Sequence, residues 1–185
     1  FDKWNRGKLN SYLIEITSKI LRAKDKNNQY VIDYILDAAG NKGTGKWASR
    51  ESLDLGVPAF SIAAAVFACY ISSFKSERQK IAALYKKTNG KLNISINQLE
   101  TLYAAKIIAY AQGYELIYLA AKEYGWRINF AEVSRIWQGG CIIRAKFLAD
   151  TRQIFKEQPN LENILLSQFF HRQLNQNIGA ARDVA

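Results

Sequence analysis

With 185 residues, 49% of them apolar and 23% charged, the chain has material for one ordinary domain and too little for two well-built ones. A nucleotide-binding domain beside a substrate domain is therefore not expected within it, and two prolines and eleven glycines speak against a disordered or collagen-like chain. Lysine and arginine outnumber aspartate and glutamate by 26 to 16, giving +10 with the lone histidine neutral. That balance favours anionic partners (nucleic acid, a lipid surface or a phosphorylated metabolite), yet the positive residues run along the whole chain, as on a solvated surface.

The chain opens on Phe1, not Met, which points to a removed leader or to a piece of something longer; Asp2 to Arg6 precede no apolar run of a secretory signal. A first helix is expected from near Leu9 to beyond Leu21, with Leu13, Ile16, Ile20 and Leu21 on one face. A shorter one covers Val31 to Ala38 and ends at Gly40. Asn41 to Ser49 reads as a loop of glycine and lysine, and Ser49, Glu51 and Ser52 open a short turn. Pro58 fits the first turn of a long helix reaching Tyr85, because that position needs no donor.

A loop follows from Lys86 to Asn93. Asn97 and Glu100 have the form of a capping box for a helix to Lys122, apolar almost all round and closed by Gly125. Asn129 before Glu132 starts another helix at Phe130, which ends at Gly139 and Gly140. Cys141 to Phe155 and Leu161 to Asn175 complete the series, separated by Pro159. Strand signals are nearly absent, so the fold class is all-α, and two such apolar helices call for a covering partner chain or domain.

Residues 55 to 74 carry no charge over twenty residues, the length of a membrane span. Gly56, Pro58, the alanine and serine content and the charged run from Lys75 favour instead a central helix buried on nearly all sides of a soluble domain. Cys69 and Cys141 make neither a disulfide framework nor a metal spacing and read as small core residues in a reducing compartment. A single histidine, His171, near the end of the last helix and on the surface, rules out an internal serine triad or a multi-histidine zinc site. Glu115 is the carboxylate whose apolar neighbours would raise its pKa by burial. Nucleic-acid binding is disfavoured, because the aromatics fall on helices that need them for packing and no recognition motif is present.

One segment reads as chemistry. In GNKGTGKWA, from Gly40 to Ala48, Gly43 and Gly45 permit close backbone approach, Thr44 offers a hydroxyl, and Lys42 and Lys46 bring two ammonium groups together, as an oxyanion or phosphate requires. Trp47 stands where a Walker A loop has its hydroxyl, so it is not that motif. A flexible connection with solvated lysines has the same composition.

This segment, with VIDYILDAAGNK before it and SRESLDLGVPAFSIAAAVFA after it, resembles the substrate domain of the 6-phosphogluconate dehydrogenase family. The likeness begins at FDKWNRGKLNSYLIEIT and continues through SFKSERQKIA, KIIAYAQGYELIYLAAKEYGW, IWQGGCIIRAKFL and PNLENILL. The resemblance implies that residues 1–185 are the helical C-terminal domain of a cytoplasmic, homodimeric, NADP-dependent oxidoreductase. Such enzymes convert 6-phospho-D-gluconate to D-ribulose 5-phosphate and carbon dioxide. It implies further that the Rossmann domain, the lysine base and the glutamate acid lie upstream, and that a tail bearing the family's arginine and histidine lies downstream. This chain then holds no catalytic, cofactor or metal ligand, and His171 is not the family histidine. Of three family contacts to the substrate phosphate, the lysine matches Lys46, the threonine is replaced by Ala48 and the arginine by Cys69. Those losses keep two alternatives open: a divergent hydroxy-acid dehydrogenase relative, and a non-catalytic helical dimerisation module.

Overall fold

The computed structural model describes residues 1–40, 42–85 and 98–184. Along the chain run α1 (Asp2–Asn5), α2 (Tyr12–Arg22), a 3-10 turn (Val31–Tyr34), α3 (Thr44–Asp54), α4 (Phe60–Ser73), α5 (Lys75–Leu84), α6 (Gln98–Glu123), α7 (Phe130–Gln138), α8 (Phe147–Glu157), a second 3-10 turn (Ile164–Leu166) and α9 (Gln168–Val184). The described residues contain no strand beyond two isolated bridges, so the all-α expectation holds. They fall into two compact units, Phe1–Ile35 with Asn97–Ala185, and Leu36–Ile96. The expected loop from Lys86 to Asn93 and the Asn97 cap lie outside the described residues.

In the first unit Ser11 caps α2, its hydroxyl oxygen accepting the Ile14 amide at 3.4 Å. The Asp2 carboxylate takes the Ser18 hydroxyl and the Arg22 guanidinium, which pins the short α1 to α2 and holds the Asp2 carboxyl below its ordinary range. The core forms where the buried stripe of α6, Tyr103, Ile107, Ala111 and Tyr114, meets Phe130 of α7, Phe147 and Phe155 of α8, and Phe170 of α9. Rings account for much of it: Tyr114 lies 5.1 Å from Phe155, and Phe147 4.7 Å from Phe170. Burying each such ring is worth ~1.5–3 kcal/mol from water exclusion. Ser134 donates its hydroxyl to the Phe130 carbonyl at 2.9 Å, which leaves its oxygen to accept the buried Tyr114 hydroxyl at 2.7 Å.

Three expectations for this unit change. Val31 to Ala38 is a four-residue 3-10 turn ending at Tyr34, because the chain arrives by a tight loop in which Asp25 accepts the Asn27 and Gln29 amides. Cys141 to Lys146 is not helical: the Tyr12 amide bonds the Arg144 carbonyl at 3.1 Å, the Lys146 amide bonds Asn10 at 3.0 Å, and the Arg144 guanidinium stacks 3.8 Å over Tyr12. The last helix begins at Gln168, not Leu161, after a turn capped by Asn163, and it continues through Gly179.

Lys106 of α6 is largely buried and makes no ion pair among the described residues. Burial pulls its amine down from 10.5 to about 8. Below pH 8 the amine is charged in both states and folding bears the full desolvation cost. Between pH 8 and 10.5 the unfolded chain binds more protons, so stability rises with pH across that window. Lys106→Met is therefore expected to be more stable than wild type at pH 7, with the difference shrinking by pH 10. Urea unfolding at pH 7, 9 and 10 measures it, and a pH-independent difference would contradict the assignment.

The second unit is built on a tight α3–α4 corner. Gly56, at a φ of 67° that disfavours side chains, lets the Val57 amide turn back onto the Ser52 carbonyl at 2.7 Å. Ser52, Val57, Ala59 and Val66 are buried together there, and Pro58 lies in the corner ahead of α4, not inside its first turn. The expected single helix to Tyr85 is broken at Phe74, which ends α4 and opens α5. Arg78 bonds the Asp37 carboxylate and carbonyl and the Ser72 carbonyl, while the Ala39 amide donates to the Ser72 hydroxyl, so the approach to α3 is tied to the end of α4.

The apolar α4 is not buried on all sides as its composition predicts. Val66 is its one buried residue, and Phe60, Phe67 and Ile71 stand 75%, 65% and 60% exposed. Helix α6, in contrast, is covered along most of its length, so the excess of exposed apolar surface belongs to α4. Among the described residues no helix is long and apolar enough to cross a membrane.

Candidate functional site

Lys46 does not lie in a loop. Helix α3 starts at Thr44, which places Lys46 in its first turn and takes in Ser49, Glu51 and Ser52, which the composition assigns to a separate turn. Gly43 makes this start possible: its φ of 101° is a left-handed conformation that any side chain resists, and its carbonyl accepts the Trp47 amide at 2.9 Å. Glycine brings no capping side chain, so none competes for the first-turn amides of Thr44, Gly45 and Lys46, which have no partner within the helix. Those amides and the helix dipole favour an anion at this end. Lys42 and Lys46 add two exposed ammonium groups, neither ion-paired among the described residues. Arg50 is engaged, at 3.9 Å from Asp54, in an exposed pair worth little. The Ser49 hydroxyl is buried with no hydrogen-bond partner among the described residues.

The three positions singled out by resemblance are not gathered on one face. At about 100° per residue, positions 46 and 48 lie on opposite sides of α3, so a ligand reaching both must lie across the end of the helix. Ala48 is half-buried. Cys69 sits on α4, one turn after the buried Val66 and on its side of the helix; it is free and half-buried, not the core residue expected. Cys141, in the first unit, is also free and half-buried.

The other candidates carry less chemistry. His171 is exposed as expected but belongs to the first turn of α9, not its end, and its Nε2 meets the Asn175 amide at 3.2 Å. Glu115 is half-exposed on α6, contrary to the burial expected for it. Glu15 pairs with Lys19 one turn on, which holds its carboxyl below the usual range. Lys106 escaped sequence reasoning, since one lysine in an apolar helix gives no sign of whether it reaches solvent.

The described residues thus form helices alone, and α3 starts at a left-handed glycine beside two exposed lysines. The chain belongs to the 6-phosphogluconate dehydrogenase family: the family model described as "6-phosphogluconate dehydrogenase, C-terminal domain" matches residues 1–185. It is 50% identical over 175 residues to the decarboxylating 6-phosphogluconate dehydrogenase of Schizosaccharomyces pombe, a match covering 92% of this chain and 36% of that protein. Against the corresponding protein of Raoultella planticola the identity is 42%, over 100% of this chain and 42% of the relative. The fold matches the solved 6-phosphogluconate dehydrogenase of Plasmodium falciparum with a TM-score of 0.92 at 41% identity, over 99% of this chain and 41% of that one. That protein is described in its apo form, with its cofactor NADP+ and with its substrate 6-phosphogluconate. The chain thus spans about two-fifths of the length of the relatives it matches.

Proposed function

We propose that the chain is the C-terminal helical domain of a cytoplasmic 6-phosphogluconate dehydrogenase, which oxidises 6-phospho-D-gluconate with NADP and releases carbon dioxide to give D-ribulose 5-phosphate. The observation that carries this reading is the family-model match over residues 1–185, together with 50% identity over 92% of the chain to a protein bearing that name. The role of the chain is to hold the substrate phosphate: Lys46 supplies a point charge and the first-turn amides of α3 supply donors that need no reorganisation. NADP does not fit the described residues. Gly43 and Gly45 open a helix but follow no strand, and a dinucleotide cradle needs the strand–turn–helix unit. The nicotinamide cofactor supplies hydride chemistry when bound, and no step of it is assigned to this chain.

The test compares the full-length polypeptide with residues 1–185 alone. The former is expected to reduce NADP with 6-phosphogluconate and to release carbon dioxide. The latter is expected to do neither and to give no NADP binding in calorimetry; micromolar affinity for NADP would overturn this division of labour. The exposed α4 face supports a homodimer through this unit, so the same sample should scatter light as a dimer, and a monomer of about 21 kDa across the micromolar range would refute it. The replacements at positions 48 and 69 favour one second reading, a relative selective for an unphosphorylated hydroxy acid.

A further inference from the structure

Between α2 and α6 of the first unit lies a groove of about 420 Å3 walled by Leu13, Ile14 and Ile142 and floored by α6. Leu13, Leu102 and Ile142 on its rim are 46%, 38% and 61% exposed, so none of the described residues fills it. The floor is Leu102, Ala105, Lys106, Ala109 and Tyr110, the i, i+3, i+4, i+7, i+8 stripe by which one helix receives another over two turns. A single charged group lines the groove, the ammonium of Lys106, and it makes no ion pair or hydrogen bond among the described residues. The other titratable group there, Tyr110, already donates its hydroxyl to the Ile143 carbonyl at 2.5 Å. Aliphatic walls around one unpaired cation define their complement as an aliphatic surface bearing one anion.

We propose that this groove seats an aliphatic helix carrying a single carboxylate that pairs with Lys106, and that the helix comes from the same polypeptide, from the part that its relatives hold outside the matched region. The inference rests on the reading of the chain as one domain of a longer enzyme. Two arguments select that source. The larger part of each relative lies outside the match, which leaves ample chain to supply a helix. A two-turn contact with one ion pair also falls far short of the roughly 1,200 Å2 that separate proteins bury in a stable complex. It suffices when tethering raises the effective concentration of the partner to the millimolar range.

Zero-length crosslinking of the full-length polypeptide tests this. A water-soluble carbodiimide activates a carboxylate as its O-acylisourea; the neutral Lys106 amine attacks the acyl carbon, an amide forms, and the urea leaves with the carboxylate oxygen. Peptide mapping by mass spectrometry is expected to find Lys106 joined to an aspartate or glutamate outside residues 1–185, with no hybrid peptides when 15N-labelled and unlabelled protein are mixed. Lys106→Arg should abolish the link while keeping the protein folded. Acetylation of Lys106 by succinimidyl acetate should be at least tenfold slower in the full polypeptide than in the 185-residue chain. A hybrid-isotope link, which would mean a second copy, overturns the proposal. So does a link to a carboxylate within residues 1–185, or no link at all, whether or not acetylation slows. Because every readout is a mass, an active enzyme without the link sinks this inference alone, and a linked but inactive polypeptide sinks only the proposed activity.

Discussion

Phe170→Ala is expected to cost about 3–5 kcal/mol, the range for removing a fully buried ring from a core that cannot collapse around the gap. Phe170 is completely buried, 4.7 Å from Phe147 and 5.0 Å from Phe169, where α9 packs on α6. Its neighbours are themselves rings fixed by other rings: Phe147 also touches Tyr110, which is anchored through its hydroxyl to Ile143. The cavity would stay open, and the lost dispersion contacts would add to the lost transfer energy. Tyr114→Phe supplies the contrast. It deletes one hydroxyl in the same core and leaves Ser134 still bonded to Phe130, so a loss of only about 1 kcal/mol is expected. Urea unfolding of both variants in one buffer measures the pair. Equal losses would mean that the Tyr114–Ser134 hydroxyl contact between α6 and α7 matters as much as the ring packing of α9 on α6.

That core was legible in the sequence to the extent that it is made of local patterns. Asn129 three residues before Glu132 announced α7, and its side chain accepts the Glu132 amide at 3.2 Å. Apolar residues all round α6 announced a covered helix, as found along most of its length, the groove stripe from Leu102 to Tyr110 excepted. What failed had non-local or backbone causes. Residues 141–146 keep helical periodicity, yet hydrogen bonds from Tyr12 and Lys146 to partners more than a hundred residues away draw them into turns around an isolated bridge between Ser11 and Ala145. The break at Phe74 involves neither glycine nor proline and carries no composition signal. The start of α3 was hidden because it opens at a left-handed Gly43 with no capping side chain, so a helix N-terminus looked like a lysine-rich loop. The residue types of the candidate site were therefore readable, and the dipole and amides that give them their value were not.

For that site the decisive measurement is a steady-state comparison of the full-length polypeptide with Lys46→Ala and with the double replacement Cys69→Arg and Ala48→Thr. Removing the Lys46 ammonium is expected to weaken 6-phosphogluconate binding by about 1.5–3 kcal/mol, roughly 10- to 150-fold, the worth of a charge-assisted contact. The α3 amides remain, so binding should be reduced and not abolished. The double replacement should raise kcat/KM, and the two changes should contribute unequally. Position 69 lies on the Val66 side of α4 and is half-buried, so a guanidinium there would be partly desolvated and able to hold phosphate in a bidentate way. Position 48 is on the side of α3 away from Lys46, and a hydroxyl there adds at most one contact. Ordering and desolvating the new arginine offset part of the gain, which should stay below the sum of two hydrogen bonds. Gluconate provides the control, because neither substitution should alter its turnover if both act on the phosphate. Should wild type prefer gluconate while Lys46→Ala changes nothing, α3 holds no phosphate, and the unpaired lysines at its start are a solvated surface beside the site of a differently selective enzyme.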